Sequence, residues 1–382
     1  MKFMGYRRND GRVGVRNYVL VVSTVFCGSS VAQKIAALTD TALVTHQGGC
    51  GQLGPDKEHT LEILTGVVTH PNVGGVLVVG LGCEQVDAKE LMAAADGKPA
   101  RYLSIHDVGG NQNAEKSGVQ LVNELKLEVE KAKRVPVGID ELIIATQCGS
   151  SDTGSGLASN PVVGELADLM VGAGGTVILG ETGSLYGAAG LMARRAVTPE
   201  LGQRIIEITN VRERHYKRMG KSIKEANPTP GNIEGGLTTL VEKSLGGVRK
   251  GGTTPIQGLL KPGEKIMGKG LWVMDTSLGL GACASADMLA GGAQIMAYTT
   301  GKGNPVGSPI APVIKITATR ETVTTLDDII DFDASPVLLG NETLKDCGRR
   351  LLEEVRRVAD GDITKSEKFG SNIFAIGSIA VG

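Results

Sequence analysis

Residues 76–84 read Val-Leu-Val-Val-Gly-Leu-Gly-Cys-Glu, and this stretch decides the fold class of the chain. Its first part is apolar on both faces, which is typical of a central strand in a parallel sheet. A central parallel strand ends at the middle of the crevice where such sheets bind ligands. We therefore expect Cys83 and Glu84 to lie in a ligand cleft, although Glu84 would also suit the cap of the following helix.

Outward from this stretch, short apolar runs alternate with amphipathic helical patterns, which predicts an α/β fold built from right-handed β-α-β units. At 382 residues the chain exceeds the roughly 250 to 300 residues at which one core stops growing. We expect two Rossmann-like lobes with mostly parallel sheets and a glycine-rich C-terminal section. The turn-forming sequence Arg134-Val135-Pro136 predicts their boundary, with lobes at 1–135 and 136–382.

The composition favours a small-molecule ligand. Forty basic residues against 41 acidic residues leave a formal charge of -1, which gives no field for attracting nucleic acid or an anionic membrane. No signal-peptide pattern and no apolar run near the ~20 residues that span a bilayer is present, so we expect a cytoplasmic protein. Six cysteines are too sparse for a disulfide scaffold. The P-loop and the G-x-S-x-G elbow are missing, no complete G-x-G-x-x-G follows the first strand, and no nucleotide is expected.

The segment His46-Gln-Gly-Gly-Cys50 is a candidate metal-binding turn. Imidazole and thiolate suit a transition metal such as Fe(II) or Zn(II), whereas magnesium prefers oxygen. A loop histidine is more often a structural residue, and that alternative stays open at this point.

A second candidate is the segment Cys148 to Gly156, followed by Asn160-Pro161 where a helix should start. Small hydroxyl residues and glycines before a helix cradle anions, because free N–H groups and the helix dipole favour negative charge. The alternative is an ordinary helix cap. Downstream, the tract from Glu234 to Lys250 places basic side chains among glycines, where they would either clamp a carboxylate or simply be solvated.

Read together, these motifs resemble the altronate/galactarate dehydratase family. The resemblance runs through Tyr6 to Asn17, His46 to Gly54, His70 to Glu84, Cys148 to Pro161, Gly231 to Gly246, Thr299 to Gly303, and Lys365 to Glu367. It implies a dehydratase that uses Fe(II) or another divalent transition metal and acts on a sugar acid. One-chain members carry a small additional N-terminal domain, so a separate small subunit and an oligomer are expected here. The related (2R)-sulfolactate sulfo-lyase has such a two-subunit arrangement and releases sulfite.

Two departures from the family pattern concern carboxylates. After Glu181 the family has further acidic residues where this chain has Ser184 and Ala189, and Ser150 replaces the second glycine after Cys148. If those carboxylates held metal or sugar hydroxyls, the substrate would change. A non-catalytic binding subunit is therefore the alternative from another class.

The expected reaction is the metal-assisted elimination of water from a 2-hydroxy sugar acid, which gives a 2-keto-3-deoxy acid. Release of sulfite and pyruvate from sulfolactate is the runner-up. An iron–sulfur cluster on Cys50, Cys83 and Cys148 is a competing use of the cysteines. Candidate catalytic residues are His46, Lys243 and Glu84; candidate substrate-binding residues are Arg16, Ser151, Asp152, Asn160, Thr238 and Lys250; candidate metal ligands are His46, Cys50, Cys83, Glu84, Cys148 and Glu181.

Overall fold

The computed structural model describes residues 1–95, 97–180, 185–277 and 281–379. Within these ranges the chain forms three sheets, two of them parallel, with helices between the strands. In chain order the strands are β1 (Lys2–Arg7), β2 (Val13–Gly14), β3 (Tyr18–Ser23), β4 (Ala42–Val44), β5 (Val73–Gly80), β6 (Ala100–Ser104), β7 (Val135–Gly138), β8 (Ile143–Gly149), β9 (Thr176–Leu179), β10 (Ile256–Leu260), β11 (Gly270–Met274), β12 (Ile295–Thr300), β13 (Val313–Thr317) and β14 (Phe332–Asp333).

The helices connect the strands and cover the sheets, as β-α-β units require. No helix within the described ranges is long and apolar enough to cross a membrane. The α-helices are α1 (Ser29–Thr39), α2 (Pro55–Val68), α3 (Ala88–Ala94), α4 (Asn111–Val129), α5 (Asn160–Gly172), α6 (Ala189–Ala193), α7 (Pro199–Arg218), α8 (Ile223–Ala226), α9 (Pro230–Glu234), α10 (Leu240–Val248), α11 (Gly281–Ala290), α12 (Arg320–Thr325), α13 (Ser335–Leu338), α14 (Leu344–Ala359) and α15 (Lys365–Phe369).

The four-stranded sheet has the order β4-β3-β5-β6 and is parallel throughout. Every residue of β5 is buried, and the strand pairs with β3 on one side and β6 on the other. The prediction that the run ending at Gly80 is an internal strand is therefore confirmed. Because its strands share one direction, the loops after β3, β4, β5 and β6 meet at one edge of the sheet.

The seven-stranded sheet has the order β10-β11-β9-β8-β12-β13-β14 and is also parallel. Its middle strand is β8, and Cys148 is the second-to-last residue of that strand. Together the two sheets confirm the predicted α/β class with mostly parallel strands. The small sheet β2-β1-β7 is antiparallel and was not predicted.

The two parallel sheets pack against each other through a shared hydrophobic core. One cluster of buried side chains draws on both, including Val76 from β5 and Met296 from β12. Helices α2 and α11 form part of this contact, where a Cβ on Gly66 would stand 2.4 Å from the Ala290 carbonyl oxygen. Each of these helices runs from the carboxyl edge of its sheet toward the amino edge, and their last turns touch.

Candidate functional site

Three loops lie side by side at the carboxyl edge of the four-stranded sheet. The Phe26 N–H donates to the Gly48 carbonyl at 2.9 Å, which joins the loops after β3 and β4. The Gln85 N–H donates to the Gly49 carbonyl at 2.9 Å, which joins the loops after β4 and β5. Backbone bonds of this kind fix loops more firmly than side-chain contacts do, because main-chain groups have little freedom to move.

Gly49 is required for this packing. Its φ is 94°, in the region that favours glycine, and a Cβ there would stand 2.2 Å from the Thr24 carbonyl oxygen. Any side chain at this position would push the loops after β3 and β4 apart. The glycines between His46 and Cys50 are thus explained by close packing of backbone, without a ligand.

Each of these three loops carries one exposed free cysteine, namely Cys27, Cys50 and Cys83. We call this region the thiol edge. Sequence reasoning selected Cys50 and Cys83 as ligands but did not select Cys27. The signal was present, because Cys27 follows β3 as Cys83 follows β5, and parallel neighbours place their following loops together. The ring of His106, after β6, packs against Gly82 at the same edge and was also missed.

Glu84 braces the loop that carries Cys83. Its carboxylate accepts hydrogen bonds from Thr24 Oγ1 at 2.7 Å and from the N–H groups of Gly82 and Cys83 at 2.7 and 3.0 Å. Burial would raise the pKa of Glu84, but these donors outweigh it and lower the pKa. Glu84 does not cap the next helix, because Asp87 accepts the Lys89 N–H at the start of α3. A carboxylate satisfied in this way is a brace for the loop.

His46 is buried behind the thiol edge, with 4% of its surface exposed. Burial lowers its pKa to about 4, against an opposing effect of the Ser23 and Thr24 backbone, so the ring is neutral at pH 7. Nδ1 accepts the Gly48 N–H at 3.2 Å, which assigns the proton to Nε2. Nε2 makes no hydrogen bond of normal geometry to the described residues. With one nitrogen occupied and the other protonated, His46 is not arranged as a general base.

A cavity of about 380 Å³ opens at the carboxyl edge of the seven-stranded sheet. We call this region the cavity edge. Its wall is formed by the end of β8, by the start of the helical segment that follows, and by α10 with the residues on either side of that helix. Polar and ionisable side chains in the lining include Cys148, Asp152, Asn160, Glu242, Lys243 and Arg249.

Cys148 lines this cavity and has a buried lysine beside it. Lys250 Nζ donates to Cys148 Sγ at 3.2 Å, and the lysine is 1% exposed. A thiol and an amine in hydrogen-bond contact can pass a proton between them. The pair is therefore suited to proton transfer beside the cavity, whereas Cys148 had been expected to bind metal.

Asp152 and Asn160 are held by hydrogen bonds within the cavity wall. Asp152 Oδ1 accepts the Ser155 N–H at 2.7 Å and the Ser155 hydroxyl at 2.8 Å, and Oδ2 accepts the Thr319 hydroxyl. Asn160 Oδ1 accepts the Thr299 hydroxyl at 2.6 Å. Between them the helix is π-helical from Ser155 to Ser159, a distortion common at functional sites. Asp152 thus caps this turn, in agreement with the alternative that the segment is an ordinary helix cap.

The backbone conformation of Ser150 explains why a glycine suits this position in the family. Its φ is 52°, a left-handed conformation that most side chains avoid. Its carbonyl accepts the N–H groups of Gly301 and Lys302 at 3.0 and 3.1 Å, which joins the loops after β8 and β12. The neighbouring Ser151 is buried and its carbonyl accepts Asn232 Nδ2 at 2.9 Å.

Lys243 lines the cavity with its ammonium group already oriented. Nζ donates to Asn227 Oδ1 and Asn232 Oδ1, both at 2.9 Å. These two hydrogen bonds fix the position of the ammonium group at the cavity wall. This arrangement suits a carboxylate clamp better than the base that the sequence suggested.

Two predicted substrate-binding residues have hydrogen-bond partners within the protein. Arg16 precedes β3 at the amino end of the sheet, away from both edges, where its guanidinium binds Glu367 at 2.7 and 3.0 Å and is 8% exposed. Thr238 lies at the rim of the cavity edge, where it is exposed and donates from its N–H and hydroxyl to Glu242 Oε2 at 2.8 and 2.6 Å. These contacts make Arg16 an internal ion-pair residue and Thr238 a support for a helix start, and the assignment of either residue to substrate binding stays a prediction.

The single-ion ligand set expected from sequence is not assembled in the described residues. Glu181 and Ser184 lie outside them, and Ala189 is buried at the start of α6. Cys148 belongs to the cavity edge, whereas His46, Cys50, Cys83 and Glu84 belong to the thiol edge. Within the described ranges, no three His, Cys, Asp or Glu side chains lie where they would hold one metal ion.

Comparison with known proteins identifies the family. Residues 139–381 match the family described as D-galactarate/Altronate dehydratase, C-terminal, and residues 5–130 match D-galactarate dehydratase/Altronate hydrolase, second domain. This chain belongs to the galactarate/altronate dehydratase family. The resemblance seen in the motifs is confirmed, and with it the predicted class, a lyase of the dehydratase type.

The similar proteins are named either as sugar-acid dehydratases or as a sulfo-lyase subunit. Altronate dehydratase of Bacillus subtilis is 34% identical over 96% of this chain and 75% of its own length. Galactarate dehydratase (L-threo-forming) of Escherichia coli is 31% identical over 94% of this chain and 73% of its own length. The (2R)-sulfolactate sulfo-lyase subunit beta of Chromohalobacter salexigens is 35% identical over 98% of this chain and 96% of its own length.

Proposed function

We propose that this family member eliminates water from a 2-hydroxy sugar acid within the cavity at the cavity edge, giving a 2-keto-3-deoxy acid. The observation that carries the proposal is a cavity of about 380 Å³ lined by Lys243, Arg249 and Cys148, with the buried Lys250 Nζ 3.2 Å from Cys148 Sγ. Sites for small molecules typically measure about 300 to 1,000 Å³, so a six-carbon acid is a suitable occupant.

Lys243 and Arg249 are the groups that would bind the substrate carboxylate. Lys243 is held in place by Asn227 and Asn232 at 2.9 Å, so little side-chain freedom is lost when an anion binds. Arg249 provides planar donors at the same cavity. The buried hydroxyl and amide groups near the π-helical turn would bind sugar hydroxyls.

The Cys148–Lys250 pair would remove the proton from C2. That proton is only weakly acidic, because the adjacent group is a carboxylate, and a thiolate beside an ammonium is a base already positioned for the transfer. As the C2–H bond breaks, a C2–C3 double bond forms and the C3–O bond breaks, so that hydroxide takes up a proton and leaves as water. The enol then tautomerises to the 2-oxo acid.

Iron or another divalent metal remains part of this proposal as a cofactor of the reaction. The single-ion ligand set predicted from sequence does not fit the described side chains.

Sulfite elimination from sulfolactate is the second candidate, because the relative with that activity in its name matches this chain over 96% of its own length at 35% identity. Removal of the C2 proton is the same in both reactions, and only the leaving group differs. That relative is named as a subunit, so a second, smaller chain is proposed as the partner in either case.

The test is a product assay on the chain purified without oxygen, together with any chain that co-purifies. Altronate, galactarate and sulfolactate are offered in turn, with measurement of 2-oxo acid and of sulfite. Oxo acid from a sugar acid without sulfite supports the dehydratase. Sulfite release replaces it with the sulfo-lyase, and tight binding without any product establishes a binding subunit.

A further inference from the structure

Cys148 and Lys250 bring a thiol and an amine into contact beside the cavity. Lys250 Nζ donates to Cys148 Sγ at 3.2 Å. We propose that these two atoms form a reversible covalent S–N bond when hydrogen peroxide oxidises the thiol. The modification site does not depend on the reaction steps above, and only its effect on turnover rests on the proposed function.

Both groups are shielded from bulk water, but the thiol is open to small molecules. Lys250 is 1% exposed and Cys148 is 6% exposed. Cys148 lines the cavity of about 380 Å³, which is large enough to admit a peroxide. It is the single cysteine among the described residues of that lining. An oxidised Cys148 therefore has no thiol in the lining with which to form a disulfide, whereas the Lys250 amine is already in contact with it.

The first chemical step oxidises the thiol. Proton transfer within the pair gives a Cys148 thiolate and a Lys250 ammonium, and the thiolate is the form that reacts. It attacks one peroxide oxygen and the O–O bond breaks, so that sulfur is oxidised to a sulfenic acid and the peroxide is reduced. The released hydroxide takes a proton from the Lys250 ammonium, which leaves water and a neutral amine.

The second step joins the two side chains. The amine attacks the sulfur, the S–O bond breaks, and the hydroxyl leaves as water with a proton from the amine. Sulfenic acids condense in this way even with backbone nitrogen, which is a weaker nucleophile than an amine. In sum, a thiol, an amine and hydrogen peroxide give one S–N bond and two waters.

The positions of the two residues allow this bond to form without movement of the sheet. Cys148 is held within β8, whereas Lys250 lies in the short turn Arg249–Gly251 that follows α10. The lysine side chain is a flexible four-carbon stem, so it can supply the approach. The bond would occupy both members of the pair and would prevent further oxidation of the sulfur to a sulfinic acid.

Cys347 is an internal control, because it is buried and has a cation beside it but differs in chemistry. Its Sγ lies 3.4 Å from Arg350 Nη2, and the residue is 0% exposed. Burial raises the pKa of Cys347 to about 12, so its thiol stays protonated at pH 7. A guanidinium keeps its charge in proteins and provides no neutral amine. We expect Cys347 neither to oxidise nor to form a bond.

The experiment treats the folded chain, together with any chain that co-purifies, with hydrogen peroxide and maps its peptides by mass spectrometry without reduction. A peptide that joins Cys148 to Lys250 is expected, lighter by two hydrogens, about 2 Da, than the sum of its two parts. Dithiothreitol should separate the parts, because a thiolate attacks the bonded sulfur. Turnover of the 2-hydroxy acid should fall as the joined peptide forms and return as it is reduced.

Lys250→Arg is the matched variant, because it keeps the charge and the donors but has no amine that can be released. It should form no joined peptide, and its Cys148 should proceed to sulfinic and sulfonic acids that dithiothreitol does not reverse. Circular dichroism verifies its folding. Lys34→Arg changes an exposed lysine and should behave as the wild type does.

The wild-type map decides the question even if Lys250→Arg does not fold. Oxygen added to Cys148 without a joined peptide would overturn the proposal, and so would an unmodified Cys148 after loss of turnover. A reversible joined peptide in a chain that converts none of the three acids would refute the proposed function and leave the modification site in place.

Discussion

The thiol edge and the cavity edge occupy the same position in their sheets but present cysteine in opposite ways. Strand β5 ends at Gly80, so Cys83 lies on a loop and is exposed. Strand β8 continues through Gly149, so Cys148 stays within the sheet and is buried beside Lys250. A thiol beyond its strand end is open to solvent, whereas a thiol inside its strand is held among buried side chains.

The sharpest test of this division is Lys250→Met at the cavity edge. Without Lys250 Nζ, Cys148 Sγ loses the hydrogen bond of 3.2 Å that this group donates, and kcat for 2-oxo acid formation is expected to fall about 10²- to 10⁴-fold. The measurement is kcat per folded molecule, with the folded fraction taken from circular dichroism.

Lys34→Met is a suitable control for this variant, because Lys34 is exposed and pairs only loosely with Glu115 at 3.5 Å. It should retain wild-type kcat. Unchanged turnover in Lys250→Met would show that the buried pair serves the fold alone, and it would remove the chemical difference between the two edges.

Much of the fold was predictable because apolar runs record burial directly. The apolar runs at 18–23 and 176–179, which predict strands, are β3 and β9 in the structure, and the helical pattern at 344–359 is α14. The internal position of β5 followed from its lack of a polar face. The exposed helix α7 and the internal strand β12 were not predicted, because α7 is largely polar and β12 reads Ile-Met-Ala-Tyr-Thr-Thr within a glycine-rich tract.

The site was less predictable, because side-chain partners come from distant parts of the chain. Sequence alone gave no means of seeing that Glu367 occupies Arg16 or that Lys250 reaches Cys148. Cys27 was recognised as the cysteine of a loop after a strand but was not chosen as a ligand, since no histidine or carboxylate accompanies it locally. Only the strand order β4-β3-β5 places its loop between those of Cys50 and Cys83. The proposed division at residue 135 stays a prediction.

A second test uses Arg16, which lies at the amino end of β3 and away from both edges. Removing one partner of a buried ion pair leaves an uncompensated charge, so Arg16→Met is expected to lower the free energy of unfolding by about 3 to 5 kcal/mol. Turnover per folded molecule and KM should not change. Urea unfolding and steady-state kinetics give the two readouts.

The control is Arg7→Met, whose partner Glu141 is also a carboxylate but whose ion pair is exposed to solvent. Its loss of stability should be much smaller, because water screens the pair. A large increase of KM in Arg16→Met with normal stability would restore the original assignment of Arg16 to the substrate carboxylate.

Acid provides a third test, at two buried groups that belong to neither edge. Burial lowers the pKa of His70 to about 3 and raises the pKa of Asp287 to about 6. His70 therefore contributes stability above pH 6.5 that is lost as the pH falls, whereas Asp287 contributes stability that grows as the pH falls from 6 toward 3.8.

Unfolding free energies between pH 6 and 4.5 separate these contributions. Relative to wild type, His70→Asn should reduce the acid loss by up to about 1.4 kcal/mol per pH unit, and Asp287→Asn should increase it by a similar slope. Turnover at pH 7 should stay near the wild-type value in both variants. Parallel pH curves for all three proteins would contradict the assigned protonation states.

The smallest expected effect concerns Thr238, at the rim of the cavity edge. Its hydroxyl donates to Glu242 Oε2 at 2.6 Å, next to the N-cap Thr239 that accepts the Glu242 N–H at 3.1 Å. Thr238→Val keeps the shape and removes this hydrogen bond, so it should cost at most about 1 kcal/mol of stability, as loss of a helix cap does. KM for the acid substrate should not change, because the hydroxyl is already bound to Glu242. Thr239→Ala is the matched variant and should show a similar loss of stability with the same KM. A tenfold rise of KM in Thr238→Val alone would mean that this hydroxyl leaves Glu242 to bind substrate, and Thr238 would then be part of the substrate site.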